Sequence, residues 1–241
     1  MENIYLFDVD GTLTDPRQPM ANDFAGVFWE LVRSHPVYLV SGSDLEKIKE
    51  QVPAYILDRC RGIFSSSANQ FDVAERLIYK NQFEVPQELL EYLEEKVEKS
   101  DYRSKTGNHI EHRPGMINFS IVGRNATQEQ RKEYYEWDKR SQERKMLSVL
   151  LMANFPEIDV KVGGEISIDI YPVGLDKRQS VNYLREVFPD KRICFFGDKT
   201  GEDGNDYSVV ISLTDNDNVH SVANYHQTAD IILSYLRGKK F

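Results

Sequence analysis

Two aspartates, two residues apart, directly follow an apolar stretch near the start of the chain. The stretch Ile4–Phe7 precedes Asp8 and Asp10, and Gly11 then turns the chain away. Four successive apolar residues predict a strand buried on both faces, as in a parallel sheet. Ligands of such sheets collect beyond the carboxyl ends of the strands, and two carboxylates at this spacing can share a hard cation such as Mg²⁺. The stretch therefore indicates a place for chemistry.

The two aspartates also admit two other interpretations. An Asp-rich segment after a strand can be only a turn, because Asp hydrogen-bonds its own backbone. An EF-hand loop starting at Asp8 would need Gly and Glu where the chain has Leu13 and Pro19, so it is excluded. The pattern Asp-x-Asp-Gly-Thr after an apolar strand resembles the first motif of the haloacid dehalogenase superfamily of phosphoryl-transfer enzymes.

Further polar groups follow other predicted strands and turns. They are Ser41 after the strand Val37–Val40, Asp176 and Lys177 in a later turn, and Asp198 and Asp206 after the strand Ile193–Phe196. The extra carboxylates complete the set that a magnesium site needs, and a lysine supplies the cation that several carboxylates and a phosphoryl group require. In the superfamily, the second motif falls at Ser41 and the catalytic lysine at Lys177.

Length and composition narrow the class of protein. The 241 residues suit one large or two modest domains, with 40% hydrophobic and 29% charged residues. A net charge of −9 without a long basic run argues against nucleic-acid binding. No stretch reaches eighteen apolar residues and no leader is recognisable, so we expect no membrane association and a cytoplasmic location. Cys60 and Cys194 fit no metal or disulfide pattern and are predicted to be reduced core thiols.

The pattern of predicted elements changes between roughly Lys80 and Leu175. A charged amphipathic helix, a strand pair, a second long helix opening at Thr127, and further strands indicate an inserted α+β domain. The doubly wound pattern resumes at Asp176. The predicted fold is therefore α/β, with a doubly wound parallel-sheet (Rossmann-like) core at residues 1–81 and 176–241 and an inserted α+β cap at residues 82–175.

Polar side chains alternate with apolar ones on two strands of this insertion. Asn118 lies between Ile117 and Phe119, and the alternation of the later strand puts Ser167 and Asp169 on one polar face. Such a face can simply be solvated. Arginines suited to bidentate phosphate recognition lie nearby in the sequence, however: Arg113, Arg124 and Arg131.

Longer runs carry a closer resemblance, in order and spacing, over nearly the whole chain. They are Leu6–Thr14 with Arg17-Gln18, Arg113-x-Gly115-Met116-x-Asn118, Gly123-Arg124, Gln128-Glu129-x-Arg131, Gly163-Gly164-x-Ile166-Ser167-x-Asp169, Asp176-Lys177-Arg178 and Phe195–Thr200. Together they resemble the eukaryotic-type α-phosphomannomutases of the haloacid dehalogenase superfamily. The resemblance implies a capped catalytic core, Mg²⁺, a homodimer formed through the caps, and interconversion of mannose 6-phosphate and mannose 1-phosphate through a hexose 1,6-bisphosphate, which also serves as activator.

The resemblance also implies roles for individual residues. Asp8 would be the nucleophile and Asp10 the general acid/base, with Lys177 and Ser41 as further catalytic residues. The implied metal ligands are Asp8, Asp10 (through its main-chain carbonyl), Asp198 and Asp206. The implied sugar-phosphate contacts are Arg17, Arg113, Asn118, Arg124, Arg131, Ser167 and Asp169.

Two alternatives remain open from the sequence. A capped sugar phosphatase would share the Asp8 chemistry and use water as acceptor. A receiver-like signalling module also clusters aspartates, a hydroxyl and a lysine, but the insertion and the position of Asp8 on the first strand disfavour it. The preference for mannose or glucose phosphate is not readable from these residues.

Overall fold

The computed structural model describes residues 3–238, so residues 1–2 and 239–241 of the predicted core lie outside the described part. The chain forms two compact units. The core unit contains the described residues up to Lys80 together with those from Asp176 onward, and the cap unit spans Asn81–Leu175. Each unit has its own sheet.

The strands and helices of the described residues have the following bounds. The strands are β1 Ile4–Asp8, β2 Val37–Val40, β3 Gly62–Ser65, β4 Gln70–Val73, β5 Arg76–Lys80, β6 Ile110–Arg113, β7 Met116–Phe119, β8 Ile158–Gly163, β9 Ser167–Pro172, β10 Ile193–Gly197 and β11 Asn218–Ser221. The helices are α1 Asn22–Ser34, α2 Leu45–Gln51, α3 Ala54–Leu57, α4 Gln87–Lys99, α5 Gln128–Ser141, α6 Glu143–Asn154, α7 Arg178–Val187, α8 Tyr207–Val210 and α9 Tyr225–Leu236.

The core sheet has seven strands in the order β11-β10-β1-β2-β3-β4-β5. Strands β11 to β3 run parallel, and β4 and β5 add an antiparallel edge. Alternate residues of β1 enter different hydrophobic clusters: Tyr5 and Phe7 pack in the cluster that contains residues of α1 and α9, whereas Ile4 and Leu6 pack in the cluster that contains residues of α7 and α8. The predicted doubly wound α/β core is confirmed.

Edge strand β11 was not predicted from the sequence. Three of its four residues, Asn218–Ser221, are polar, and none of the four is buried. A short polar edge strand lacks the apolar run that marks the central strands, where every residue of β1, β2 and β10 is buried.

The cap sheet is antiparallel, with strand order β6-β7-β9-β8. Ile117, Phe119 and residues of β8 and β9 join side chains of α4, α5 and α6 in one hydrophobic cluster, which leaves the alternate positions Asn118, Ser167 and Asp169 on the other face. The predicted α+β cap fold is confirmed. At the start of α5, the Thr127 hydroxyl accepts a hydrogen bond from the Gln130 main-chain N–H, and the Gln130 side chain caps in return.

The long helix predicted after Thr127 is two helices. Residue Gln142 between α5 and α6 has a left-handed backbone, with φ of 55°. Such a conformation cannot continue an α-helix, so α5 ends at Ser141 and α6 starts at Glu143.

Cys60 and Cys194 are both buried and free, as expected of core thiols. Burial raises the pKa of the Cys60 thiol to about 12. Among residues 3–238, no helix combines the length and the apolar character that crossing a lipid bilayer requires.

Candidate active site

Three charged side chains from distant parts of the sequence meet beyond the carboxyl ends of β1 and β10. The Lys177 Nζ donates to Asp8 Oδ1 at 2.6 Å and to Asp206 Oδ1 at 2.7 Å. Lys177 is 1% exposed, and both carboxylates are buried. The Thr12 hydroxyl donates to the other Asp8 oxygen at 3.3 Å. The sequence placed Asp8 and Asp206 after apolar strands, where ligands of such sheets collect, and the superfamily resemblance assigned the lysine to Lys177. The structure brings the three side chains together.

Burial and the neighbouring charges shift the pKa values of Asp8 and Lys177. Burial raises the pKa of Asp8 well above its usual range, and the carboxylates of Asp206 and Asp198 add to this effect against the pull of Lys177. Although burial alone would lower it, the two carboxylates raise the pKa of Lys177 above its ordinary value. Lys177 therefore stays charged, and additional positive charge would favour the carboxylate form of Asp8.

A cation would find three oxygen donors here. Asp8, Asp198 and Asp206 each offer one carboxylate oxygen, and these atoms all lie within 4.8 Å of one another. The backbone leaves room for Asp198, because a Cβ placed on Gly11 would come 2.4 Å from its Oδ2. Burial raises the pKa of Asp198 to about 6. Three carboxylates against one buried lysine leave net negative charge, so this donor set fits a hard divalent cation.

The Asp10 side chain lies outside that acidic group. Its Oδ1 accepts from the Arg17 main-chain N–H at 2.9 Å and from Gln51 Nε2 at 2.8 Å, and its Oδ2 accepts from the Ser43 hydroxyl at 3.2 Å. Three of the four predicted metal ligands thus contribute side chains to one cluster. A role for the Asp10 main-chain carbonyl stays a prediction.

Ser41 follows the residue of β2 that pairs with Asp8, since Asp8 lies opposite Val40 in the sheet. Its side chain is buried, and its hydroxyl oxygen accepts from the Ser43 main-chain N–H at 3.0 Å. The next turn starts helix α2, where the Asp44 carboxylate caps the Lys47 N–H at 2.9 Å. Ser41 is therefore fixed beside β1 by backbone contacts.

In the cap, two of the predicted arginines converge on one glutamate. Arg113 Nε donates to Glu111 Oε1 and Arg124 Nε donates to Glu111 Oε2, each at 2.7 Å. Arg124 also donates from Nη1 to the Ser167 hydroxyl at 2.8 Å. Arg131 is tied to the same segment, because its Nη2 donates to the Arg124 carbonyl at 3.0 Å. The structure brings these four predicted residues together around Glu111.

The remaining cap residues form a buried polar pair on the neighbouring strands. Asn118 and Asp169 lie opposite each other in register, and Asn118 Nδ2 donates to Asp169 Oδ1 at 2.5 Å. The Asn118 Oδ1 is buried without a hydrogen-bond partner. A buried acceptor left unpaired indicates a polar face that can take a donor from a bound molecule.

Sequence reasoning missed three residues that contact the predicted ones. Glu111 precedes Arg113 by two positions on a strand, so the period of two could have revealed that they share a face. Gln51 is buried at the end of α2 and donates to Asp10, and the Ser43 hydroxyl donates to Asp10 as well. Arg17, a predicted sugar-phosphate contact, lies in the core unit. Its backbone has a positive φ of 62°, and its main-chain N–H donates to the Asp10 carboxylate.

The chain is similar to known proteins both in sequence and in fold. The family model described as eukaryotic phosphomannomutase matches residues 24–237. A phosphomannomutase of Spinacia oleracea is 35% identical over 224 residues, which cover 87% of this chain and 86% of the relative.

Two solved structures share the fold at low identity. A Plasmodium falciparum IMP-nucleotidase has 16% identity and a TM-score of 0.63, covering 98% of this chain and 68% of its own. A sugar phosphatase described as HAD subclass IIB has 13% identity and a TM-score of 0.60, covering 99% and 100%.

Proposed function

The chain belongs to the eukaryotic phosphomannomutase family, and from that membership we propose which residues carry out the reaction. The enzyme is of the phosphomannomutase type and acts on hexose phosphates, and neither the phosphatase nor the receiver-like alternative is favoured. The proposed reaction interconverts mannose 6-phosphate and mannose 1-phosphate. The observation that carries the assignment is the buried contact of Asp8 with Lys177, with Asp198 and Asp206 close by.

Asp8 is the nucleophile of this proposal. One carboxylate oxygen attacks the phosphorus of a sugar phosphate in line, and the bond from phosphorus to the sugar oxygen breaks, which leaves an aspartyl phosphate. Asp10 gives a proton to the departing sugar oxygen and takes one from the attacking hydroxyl in the reverse direction. Its hydrogen bonds from Gln51 and Ser43 fix the direction of its carboxylate. Lys177 and the Ser41 hydroxyl stabilise charge on the transferring group.

Phosphotransferases of the HAD superfamily are generally Mg²⁺-dependent. Asp8, Asp198 and Asp206 would hold the ion, with the Asp10 carbonyl as the further ligand that the resemblance assigns. Bound there, Mg²⁺ would offset negative charge on the phosphoryl group during transfer.

The cap supplies sugar-phosphate recognition in this proposal. Arg113, Arg124 and Arg131 bind the phosphate that does not react, while Asn118, Ser167 and Asp169 contact the sugar, and Arg17 contributes from the core. A hexose 1,6-bisphosphate serves as intermediate and activator, because either of its phosphates can be transferred to or from Asp8. Exclusion of water while the aspartyl phosphate exists distinguishes a mutase from a phosphatase.

Two further aspects of the proposal concern assembly and location. We propose a homodimer formed through the caps. Met146, Val149 and Leu150 support it, because they are spaced along one side of α6 and are 40–58% exposed. A cytoplasmic location is consistent with two buried, unpaired thiols.

Phosphorus NMR tests the reaction directly. The full-length protein is incubated with Mg²⁺, mannose 1-phosphate and a trace of glucose 1,6-bisphosphate, and a growing mannose 6-phosphate resonance is expected. Growth of inorganic phosphate in its place would contradict the mutase assignment and support hydrolysis.

Asp198→Asn is expected to raise the Mg²⁺ concentration for half-maximal mutase rate by roughly 10- to 100-fold. The amide removes one negative charge from the three-carboxylate group and leaves the Asp8–Lys177 contact in place. A magnesium titration of the initial rate measures the change. Asp215→Asn, an exposed aspartate of the same unit, is the control and should behave as wild type. An unchanged magnesium requirement would show that Asp198 is not a ligand.

Arg124→Ala is expected to raise the KM for mannose 1-phosphate by roughly 10- to 100-fold, because a charge-assisted contact with phosphate is lost. Phosphorylation of Asp8 by a small donor such as acetyl phosphate should change little, because that donor has no second phosphate for the cap. Initial rates and intact-mass spectrometry measure the two effects, with exposed Arg140→Ala as control. Equal loss of both activities would contradict a role in remote phosphate binding.

A further inference from the structure

We propose that Glu111 is a positioning residue of the cap: it holds Arg113 and Arg124 side by side for a phosphate group and stays in place when the phosphate binds. The inference rests on the proposed function of the cap arginines and adds a residue that the family resemblance did not assign. Glu111 carries the wrong charge to bind a phosphate itself, so its role is exerted through the two guanidinium groups.

The geometry is that of a bridge. Each Glu111 oxygen accepts from the Nε of a different arginine, at 2.7 Å in both cases. The arginine side chains are 9% exposed, whereas the Glu111 side chain is 29% exposed. Both arginine side chains are therefore largely withdrawn from water, and each has a carboxylate oxygen of Glu111 as a counter-charge. Arg124 gains a second restraint from the Ser167 hydroxyl.

Like charges would otherwise push this group apart. Burial and the nearby Arg124 guanidinium lower the pKa of Arg131, and the charges of Glu165 and Glu111 partly offset them. Despite the opposing effect of burial, Arg113 and Arg124 lower the pKa of Glu111, so it is a carboxylate at neutral pH. Without that charge, the guanidinium groups would separate, and an incoming phosphate would have to gather them again at a cost in affinity.

The bridge also leaves donors for a phosphate. A guanidinium group has five N–H donors; Glu111 accepts from the Nε of each arginine, and Arg124 Nη1 donates to Ser167. A phosphate can therefore be bound through the terminal nitrogens while Glu111 remains. The competing idea, that Glu111 occupies the phosphate position and must be displaced, predicts a change of the opposite sign when Glu111 loses its charge.

Glu111→Gln is expected to raise the Kd for mannose 6-phosphate by roughly 10- to 100-fold, since displaced binding groups cost that much in comparable sites. Isothermal titration calorimetry measures Kd on full-length Asp8→Asn protein, which cannot turn the ligand over. In the protein with Asp8 intact, KM should rise while kcat at saturation stays within a factor of about three, since the residue acts on binding. Glu129→Gln, an exposed carboxylate of the same unit, is the matched control.

A double-mutant cycle separates positioning from general structure. In an Arg124→Lys background, the effect of Glu111→Gln on Kd should shrink, because lysine cannot present a guanidinium for Glu111 to align. Glu111→Asp, too short to bridge both arginines, should give an intermediate Kd, and it provides the test if the Gln variant does not fold. A lower Kd for Glu111→Gln would mean displacement, and an unchanged Kd would mean no role in binding. Either result overturns the inference.

Failure of the inference and failure of the proposed function are distinguishable. If the protein with Asp8 intact binds mannose 6-phosphate without converting it, the mutase assignment fails, and the Kd comparison still decides the role of Glu111. If the protein with native Glu111 binds neither mannose 6-phosphate nor inorganic phosphate, the cap arginines hold no phosphate site and the positioning role is wrong.

Discussion

Asp8→Asn is expected to lower the mutase kcat by roughly 10⁴-fold or more, the scale seen when a nucleophile is removed. An amide oxygen is a poor nucleophile and cannot form the acyl phosphate that the cycle needs. The substitution keeps the shape of the side chain, and Lys177 keeps its contact with Asp206 at 2.7 Å. The fold should therefore be kept, and the fall in kcat should come from the phosphoryl-transfer step.

Two measurements check this result. Phosphorus NMR follows conversion of mannose 1-phosphate, and intact-mass spectrometry detects the phosphorylated protein, which should be absent in Asp8→Asn. Asp72→Asn is the matched control, because Asp72 is also a buried aspartate of the core and its carboxylate accepts from the Gln70 amide at 2.7 Å. A phosphorylated Asp8→Asn protein, or residual activity near the wild-type rate, would remove Asp8 from the role of nucleophile.

Much of the core site could be predicted because local sequence patterns determine it. An apolar run fixes a central parallel strand, and the polar residue after it must then lie at the carboxyl edge of the sheet. That rule placed Asp8 and the carboxylates after β10 at one edge of the sheet, whereas Lys177 was assigned from the family resemblance. In the structure the Lys177 Nζ contacts both Asp8 and Asp206, although the three are far apart in the chain. The same reasoning could not choose hydrogen-bond partners. Asp10 has its carboxylate engaged with Gln51 and Ser43. Strand β1 ends at Asp8, so the turn that follows the strand directs the Asp10 side chain, and the period of two does not.

The cap shows why other features escaped prediction. The alternation of β7 and β9 revealed which residues share the polar face. The bridge from Glu111 to Arg124 depends on a loop that returns Arg124 to β6, and loop paths follow from tertiary contacts rather than from periodicity. The break between α5 and α6 was also unreadable, since glutamine at position 142 carries no sequence signal for the left-handed backbone it adopts.

A buried ion pair between Asp138 and Arg144 stabilises the break between α5 and α6. Removal of this ion pair should produce a large loss of stability in the cap. Arg144 Nε donates to Asp138 Oδ2 at 2.8 Å, and the Arg144 main-chain N–H donates to Asp138 Oδ1 at 2.9 Å. Asp138 therefore caps the first turn of α6 as well as pairing with the side chain. The Arg144 Nη1 also donates to the Gly164 carbonyl at 3.1 Å, in the turn that precedes Ser167.

Arg144→Met is expected to lower the free energy of unfolding of the cap by roughly 3–5 kcal/mol, because it leaves the Asp138 carboxylate buried without its partner. Urea denaturation followed by tryptophan fluorescence measures this loss. The chain has two tryptophans, so a Trp29→Phe background leaves Trp137, which packs on Tyr102 and Tyr134, as a reporter within the cap. Arg140→Met, an exposed arginine of α5, is the control and should change stability by less than about 0.5 kcal/mol.

The double variant Asp138→Asn with Arg144→Met shows whether the stability loss of Arg144→Met comes from an uncompensated charge or from lost contacts. If an uncompensated charge causes the loss, removing the carboxylate as well should recover part of the stability, so the double variant is more stable than the sum of the single losses implies. Strict additivity would instead assign the loss to the Arg144 contacts with the carbonyls before Ser167. In that case the KM for mannose 1-phosphate should rise both in Arg144→Met and in the double variant, because those contacts hold the turn that presents Ser167.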